Sequence, residues 1–304
     1  MRTRFRSMLS AGLLMAASAA SAAEGRFIVR APQVESGAWR DEARAMQDSG
    51  TLQALASMLN ELFVLPRDVG LRYVECGEAN AYYDADTHEI QMCLELMQDI
   101  AETLAEQYED DAVVEAAAGA YIATALHEAG HALVHVLQIP VTGREEDAVD
   151  QLSAWLLIQS EDVDSVLGVA ATYYNDEEVG DEDYGNEHSL DRQRYYNLVC
   201  WAYGSDPGHS QVLIDDWALP EERAEQCAAE YAQLDRSWSR LLRDHLRGDA
   251  AIGSQPATTS RAPRLPIEEG SPVRVHDGPI VGRIRDADDD TQERSSRYQP
   301  PGGD

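Results

Sequence analysis

The chain contains no lysine. All 24 of its basic residues are arginine, set against 55 acidic ones, for a formal net charge of −31. A charge this negative repels nucleic acid and anionic lipid, and so argues against both as partners. It reads first as a solvated, soluble surface. No Cys-x-x-Cys occurs, so neither a cysteine-based zinc site nor a thioredoxin-type redox pair is expected. The apolar run at the N-terminus falls short of the ~20 residues that a membrane-spanning helix needs. No internal repeat is present.

That N-terminal run reads instead as a secretory signal. Arg2, Arg4 and Arg6 precede apolar Met8 to Ala20, and small residues Ser21-Ala22-Ala23 then lead into Glu24. Cleavage after Ala23 removes three arginines and no acid, moving the charge from −31 to −34. An exported chain with four cysteines, Cys76, Cys93, Cys200 and Cys227, is expected to form two disulfides. Three connectivities exist, and proximity favours Cys76–Cys93 with Cys200–Cys227. Each would close a short loop and contribute roughly 3 kcal/mol if unstrained.

The 304 residues are 44% hydrophobic and 26% charged, enough for one good core and a tail. Phe27-Ile28-Val29 is a short strand candidate. Leu52, Leu55, Met58, Leu59 and Leu62 give Ser49 to Phe63 a helical face. Val69 to Cys76 and Glu89 to Cys93 read as strands around a turn-rich stretch from Gly77 to Thr87, a hairpin or small sheet. Helices are then expected over Leu94–Tyr108, Ala112–Leu137, Arg144–Ser160, Glu187–Tyr203 and Pro220–Leu246. An acidic loop separates the third from the fourth. Beyond Gly248, Pro, Ser, Thr, Gly, Arg and Asp crowd the chain, as in disordered segments. A strand pair within Ile267 to Val281 is the lesser reading there. The expected organisation is a signal peptide over 1–23, one α+β, mainly helical domain over 24–248, and a disordered tail over 249–304.

The chemistry sits on the long helix, in His127-Glu128-Ala129-Gly130-His131. Residues four apart share a helix face, so both imidazoles can reach one Zn²⁺. Glu128 is placed to take a proton from a metal-bound water. The motif is embedded in Tyr121 to Leu126 and Ala132 to Val134, apolar enough for burial. Two buried histidines and a buried Glu without partners would be costly, and a metal removes that cost. Peptidases whose third ligand is a downstream histidine carry Gly and His where this chain has Val134 and Leu137, so that version is excluded. His135 lies about 12 Å along the axis from His127 and cannot share its ion. It reads as a core residue or a support for the ligands.

The next helix opens with Glu145-Glu146-Asp147 after a Pro140–Gly143 turn, which returns it antiparallel across the first. Glu146 is the favoured third ligand, with Glu145 and Asp147 competing. Acids also favour helix N-termini for their own sake. Asp150, four residues on in an apolar helix, is suited to accept the free ring N–H of a ligand histidine. A donor should stabilise the oxyanion, and His188, Arg192, Tyr195 and Tyr196 are candidates, His188 first.

The stretch from His127 to Trp155 resembles zinc peptidases of the gluzincin type. A wider likeness joins Asn80-Ala-Tyr-Tyr-Asp84, Ile90-Gln-Met-Cys93, the His127–His131 motif, Pro140-Val-Thr-Gly-Arg-Glu-Glu-Asp147, His188 to Asn197 and Cys200 to Pro207. Over roughly residues 25–247 the chain is similar to the bacterial DUF4344 family of putative metallopeptidases. The resemblance implies a zincin-like fold, His127, His131 and Glu146 as zinc ligands, Glu128 as base, and a peptide or protein substrate. The short gap between His131 and Glu146 departs from thermolysin-like peptidases. A zinc-binding scaffold without turnover, or a zinc amidase acting on cell-wall material, would use the same ligands. Glu128 favours catalysis, since a structural site needs no base.

Overall fold

The computed structural model describes residues 24–248 except 109, 176–178, 207–212, 215, 216 and 218. The expected signal over 1–23, and the tail with its strand-pair alternative, lie outside the described residues.

Four strands, β1 (Phe27–Val29), β2 (Val69–Val74), β3 (Ala81–Asp84) and β4 (Glu89–Cys93), form one sheet in the order β1-β2-β4-β3. β1 pairs parallel to β2, with Phe27 opposite Val69. β2 and β4 are also parallel, Gly70 opposite Glu89 and Val74 opposite Cys93. Of the two alternatives for Val69–Cys76 with Glu89–Cys93, the small sheet holds and the hairpin does not. The turn-rich stretch from Gly77 to Thr87 holds β3, which makes the return and pairs antiparallel to β4. The true hairpin turn follows β3, where Asp84 Oδ1 accepts from the amides of Asp86 (2.8 Å) and Thr87 (3.2 Å). The Cys76–Cys93 disulfide ties the chain just past β2 to the end of β4.

Helices supply the rest: α1 (Arg40–Ser49), α2 (Thr51–Leu62), α3 (Leu94–Ala105), α4 (Asp110–Leu137), α5 (Glu145–Gln159), α6 (Val163–Thr172), a single turn α7 (Asp181–Tyr184), α8 (Asp191–Ser205) and α9 (Glu221–Leu242). Gly50, at φ +77°, separates α1 from α2. α1 and α6 were not expected. α1 buries only Ala43, so it shows no apolar stripe. α6 buries Ser165 to Ala171 continuously, so it shows no amphipathic period either. Asp162 caps α6 by accepting from Ser165 N (3.2 Å).

α4 is the central element, contacting the sheet, α3, α5 and α6. Its alanines allow this: Ala116, Ala117, Ala120, Ala123, Ala125, Ala129 and Ala132 are all buried. Two glycines set its crossings. A Cβ on Gly168 of α6 would stand 2.6 Å from Ala116 O, and one on Gly130 would stand 2.9 Å from Val149 Cβ of α5. α8 packs on α9 through the Cys200–Cys227 disulfide. The two ends of the described chain meet, as Arg247 pairs with Glu24 (2.7 Å) and donates to Asn60 O (3.1 Å).

Gly168→Ala should therefore force α6 away from α4 and lower stability by about 1–3 kcal/mol. Gly143→Ala meets nothing within 4 Å and should be near neutral. Denaturant unfolding of both variants checks this.

Candidate metal centre

His127 and His131 project from consecutive turns of α4, with ring centroids 5.0 Å apart and their Nε2 atoms 3.3 Å apart. α5 crosses beside them at Gly130 and brings its first two turns over the rings. Glu146 Oε2 lies 3.1 Å from His127 Nε2, and Glu146 Oε1 lies 3.3 Å from His131 Nε2. The other ring nitrogens face carboxylates. His127 Nδ1 is 2.8 Å from Asp150 Oδ1, and His131 Nδ1 is 2.9 Å from Glu145 Oε1.

An ionised carboxylate only accepts, so each Nδ1 donates to Asp150 or Glu145, and a ring that gives up its second proton turns a lone pair on Nε2 toward the other ring. Two such lone pairs 3.3 Å apart repel unless a cation lies between them. The spacing suits one: tetrahedral nitrogens at 2.0–2.1 Å from Zn²⁺ are separated by about 3.3–3.4 Å. Two imidazoles and a carboxylate also match a known catalytic zinc donor set. The residues present fit a metal ion.

The electrostatics point the same way. Burial would depress the His127 imidazolium, but hydrogen bonds to Asp150 and Glu146 override it and push the ring up to about 9. Burial likewise opposes charge on His131, and Glu146 and Glu145 raise it on balance. Burial would raise Glu146, yet hydrogen bonds from His127, His131 and His188 hold it well below the usual carboxylate range. The cluster thus holds positive charge between its acids, a place that a metal can take from protons. Glu128 differs: burial pushes its carboxyl up, against the pull of His127 and His131. It is 7% exposed.

His188 does not lie on a helix. The helix expected from Glu187 begins at Asp191, and His188 sits in the preceding loop. Three contacts hold that loop: His188 N donates to Asn186 Oδ1 (3.0 Å), Arg144 donates to His188 O (2.9 Å), and Ser189 Oγ donates to Asp147 Oδ1 (2.6 Å). The side chain reaches the cluster, with Nε2 3.0 Å from Glu146 Oε2. His127, Glu146 and His188 offer ligand atoms within 4.8 Å of one another.

The other candidates are engaged elsewhere. Glu145 partners His131, and Asp147 holds Ser189. The Tyr195 hydroxyl donates to Trp217 O (2.7 Å). The Arg192 guanidinium lies 4.3 Å from the Tyr174 ring centroid and 3.3 Å from the Tyr196 hydroxyl. The reading of His135 as a core residue is corrected: it is exposed, with Nδ1 3.0 Å from the Tyr83 hydroxyl. Eight residues beyond His127, it has left the α5 crossing behind. Arg194 was missed. It donates twice to Asp150, Nε to Oδ2 and Nη2 to Oδ1, both at 2.8 Å. Asp150 inside an apolar helix called for a cation, but the linear order did not say which arginine.

The profile of the DUF4344 family, described as putative metallopeptidase, matches residues 33–242. Neither a curated protein nor a solved structure matches the chain.

Glu146→Ala should weaken zinc binding by more than the roughly 10–100-fold typical of losing a carboxylate behind a ligand. Glu145→Ala should stay within that range or below it. Zinc affinities measured by chelator competition check the order, and equal losses would refute Glu146 as the ligand.

Proposed function

The chain belongs to the DUF4344 family of putative metallopeptidases, which are hydrolases, and we propose that it is an exported, zinc-dependent peptidase. The observation that carries the zinc reading is the convergence of two Nε2 atoms, 3.3 Å apart, on the Glu146 carboxylate, with each ring engaged by another carboxylate on Nδ1. In this reading His127, His131 and Glu146 hold the ion. Three protein ligands leave a position for water or substrate, the pattern of catalytic zinc. Zinc there would polarise the scissile carbonyl and acidify water.

The protein's own groups do the remaining work. Glu128 takes the proton of the attacking water and returns it to the leaving amine. Burial raises its affinity for protons, the direction that favours taking one from the attacking water. His188, on a loop outside the two ligand helices and with Nε2 at Glu146, would donate to the developing oxyanion. Asp150 and Glu145 keep both ligand rings in the tautomer that leaves Nε2 free.

Export rests on the signal-like residues 1–23 and is supported by two disulfides, bonds that persist in oxidising compartments. Among the described residues no helix is long and apolar enough to cross a membrane. The protein is then periplasmic or secreted, with a mature domain over 24–248 and a tail over 249–304.

Purified wild type and Glu128→Gln should each hold about one zinc per chain, while hydrolysis of an unstructured protein falls at least about 10²-fold in the variant alone. Zinc without hydrolysis of peptide or cell-wall amides in the wild type would instead indicate a binding module. Absence of zinc would refute the proposal. Separately, N-terminal sequencing of exported protein should begin at Glu24, and an uncleaved Met1 would count against the signal.

A further inference from the structure

Asp150 is 8% exposed on an apolar helix, and a carboxylate in that setting is costly unless its charge is matched. Arg194 matches it. The guanidinium reaches across from α8 and makes two parallel hydrogen bonds, Nε to Oδ2 and Nη2 to Oδ1, each 2.8 Å. This two-point grip fixes the plane of the carboxylate as well as its charge. Oδ1 also accepts from His127 Nδ1 at 2.8 Å. The carboxylate cannot turn away from His127 without breaking a bond to Arg194. The arginine is itself held, with its guanidinium 4.0 Å above the centroid of the Tyr173 ring and its side chain 10% exposed.

We infer that Arg194 is a positioning residue for the metal centre: acting through Asp150, it holds His127 with Nε2 bare and aimed at the ion. The inference rests on the zinc reading above. It assigns to α8, which supplies none of the three ligands, control over how tightly the metal is retained. Lysine cannot replace the arginine here, because one ammonium cannot hold both oxygens in a parallel pair. A competing possibility is that Arg194 serves the fold alone, joining α8 to Tyr173 at the end of α6.

Zinc affinity by chelator competition, measured on full-length wild type, R194M, R194K, D150N and D150N/R194M, separates the two. R194M should bind zinc about 10–100-fold more weakly, the range for groups that orient a ligand. R194K should show a smaller but measurable loss. The double variant should lose no more than D150N alone, because Arg194 acts only through Asp150. Unfolding of the metal-free proteins reports any effect on the fold. A lowered unfolding midpoint with unchanged zinc affinity in R194M would overturn the inference, as would losses that add in the double variant. If R194M does not fold, R194K decides, and wild-type affinity in it overturns the inference. Wild type that binds no zinc would overturn the functional reading and this one together, whereas wild type that binds zinc no better than R194M overturns this one alone.

Discussion

Helix α5 lies so close to α4 that a methyl group on Gly130 would press into Val149, 2.9 Å from its Cβ. That approach falls inside the His127–His131 motif and governs the rest of the centre. Its closeness lets the first turn of α5 lay Glu145 and Glu146 against His131 and His127, and the second turn bring Asp150 behind His127. A wider crossing would leave the same residues on facing helices with their side chains short of one another. The small-residue character of α4 is therefore part of the chemistry, because alanines and Gly130 set the height at which the carboxylates arrive.

The centre concentrates acid where burial resists it. Glu128, Glu146 and Asp150 are all largely buried within one region, yet they differ in the partners that offset this cost. Glu146 is surrounded by three imidazoles and stays ionised. Asp150 is pushed up by burial, but His127 and Arg194 hold it at about 2. Glu128 has only longer-range attraction from the histidines, and burial prevails. Three carboxylates within two helices thus acquire separate characters: Glu146 ionised among imidazoles, Asp150 ionised and fixed in place, and Glu128 with its affinity for protons raised. The same logic runs through the acidic start of α5, where Glu145 and Glu146 face the histidines of α4 and Asp147 holds the loop before α8.

Helix α8 completes the arrangement from the far side. It presents Arg194 to Asp150 and is held to α9 by the Cys200–Cys227 disulfide and by Gly204, whose backbone touches Cys227 O too closely for a Cβ. The loop before α8 is pinned to α5 at both Arg144 and Asp147, and so His188 is delivered to Glu146 by backbone geometry rather than by helical spacing. The sheet serves the centre indirectly. It supports α4 through β3 and β4, and the Cys76–Cys93 disulfide closes its end.

What could be read along the chain was whatever repeats locally. Spacing by four put His127 with His131 and Glu146 with Asp150. Apolar periodicity marked α2, Leu-rich and one-sided, and an acidic helix start after a proline turn implied that α5 returns across α4. Elements without a periodic signal were hidden: charged α1, α6 with its continuously buried Ser165–Ala171, and β3, whose pairing depends on a partner strand beyond a turn. The parallel pairing of β2 with β4 was equally illegible, since two strands read alike in either direction. Arg194 and the loop position of His188 were not visible for the same reason. Local spacing encodes which residues share a face, because a helix imposes that through its own backbone. The choice of which arginine meets a buried carboxylate, and which loop descends onto Glu146, belongs to the packing of distant segments, where burial makes one pairing far less costly than the rest.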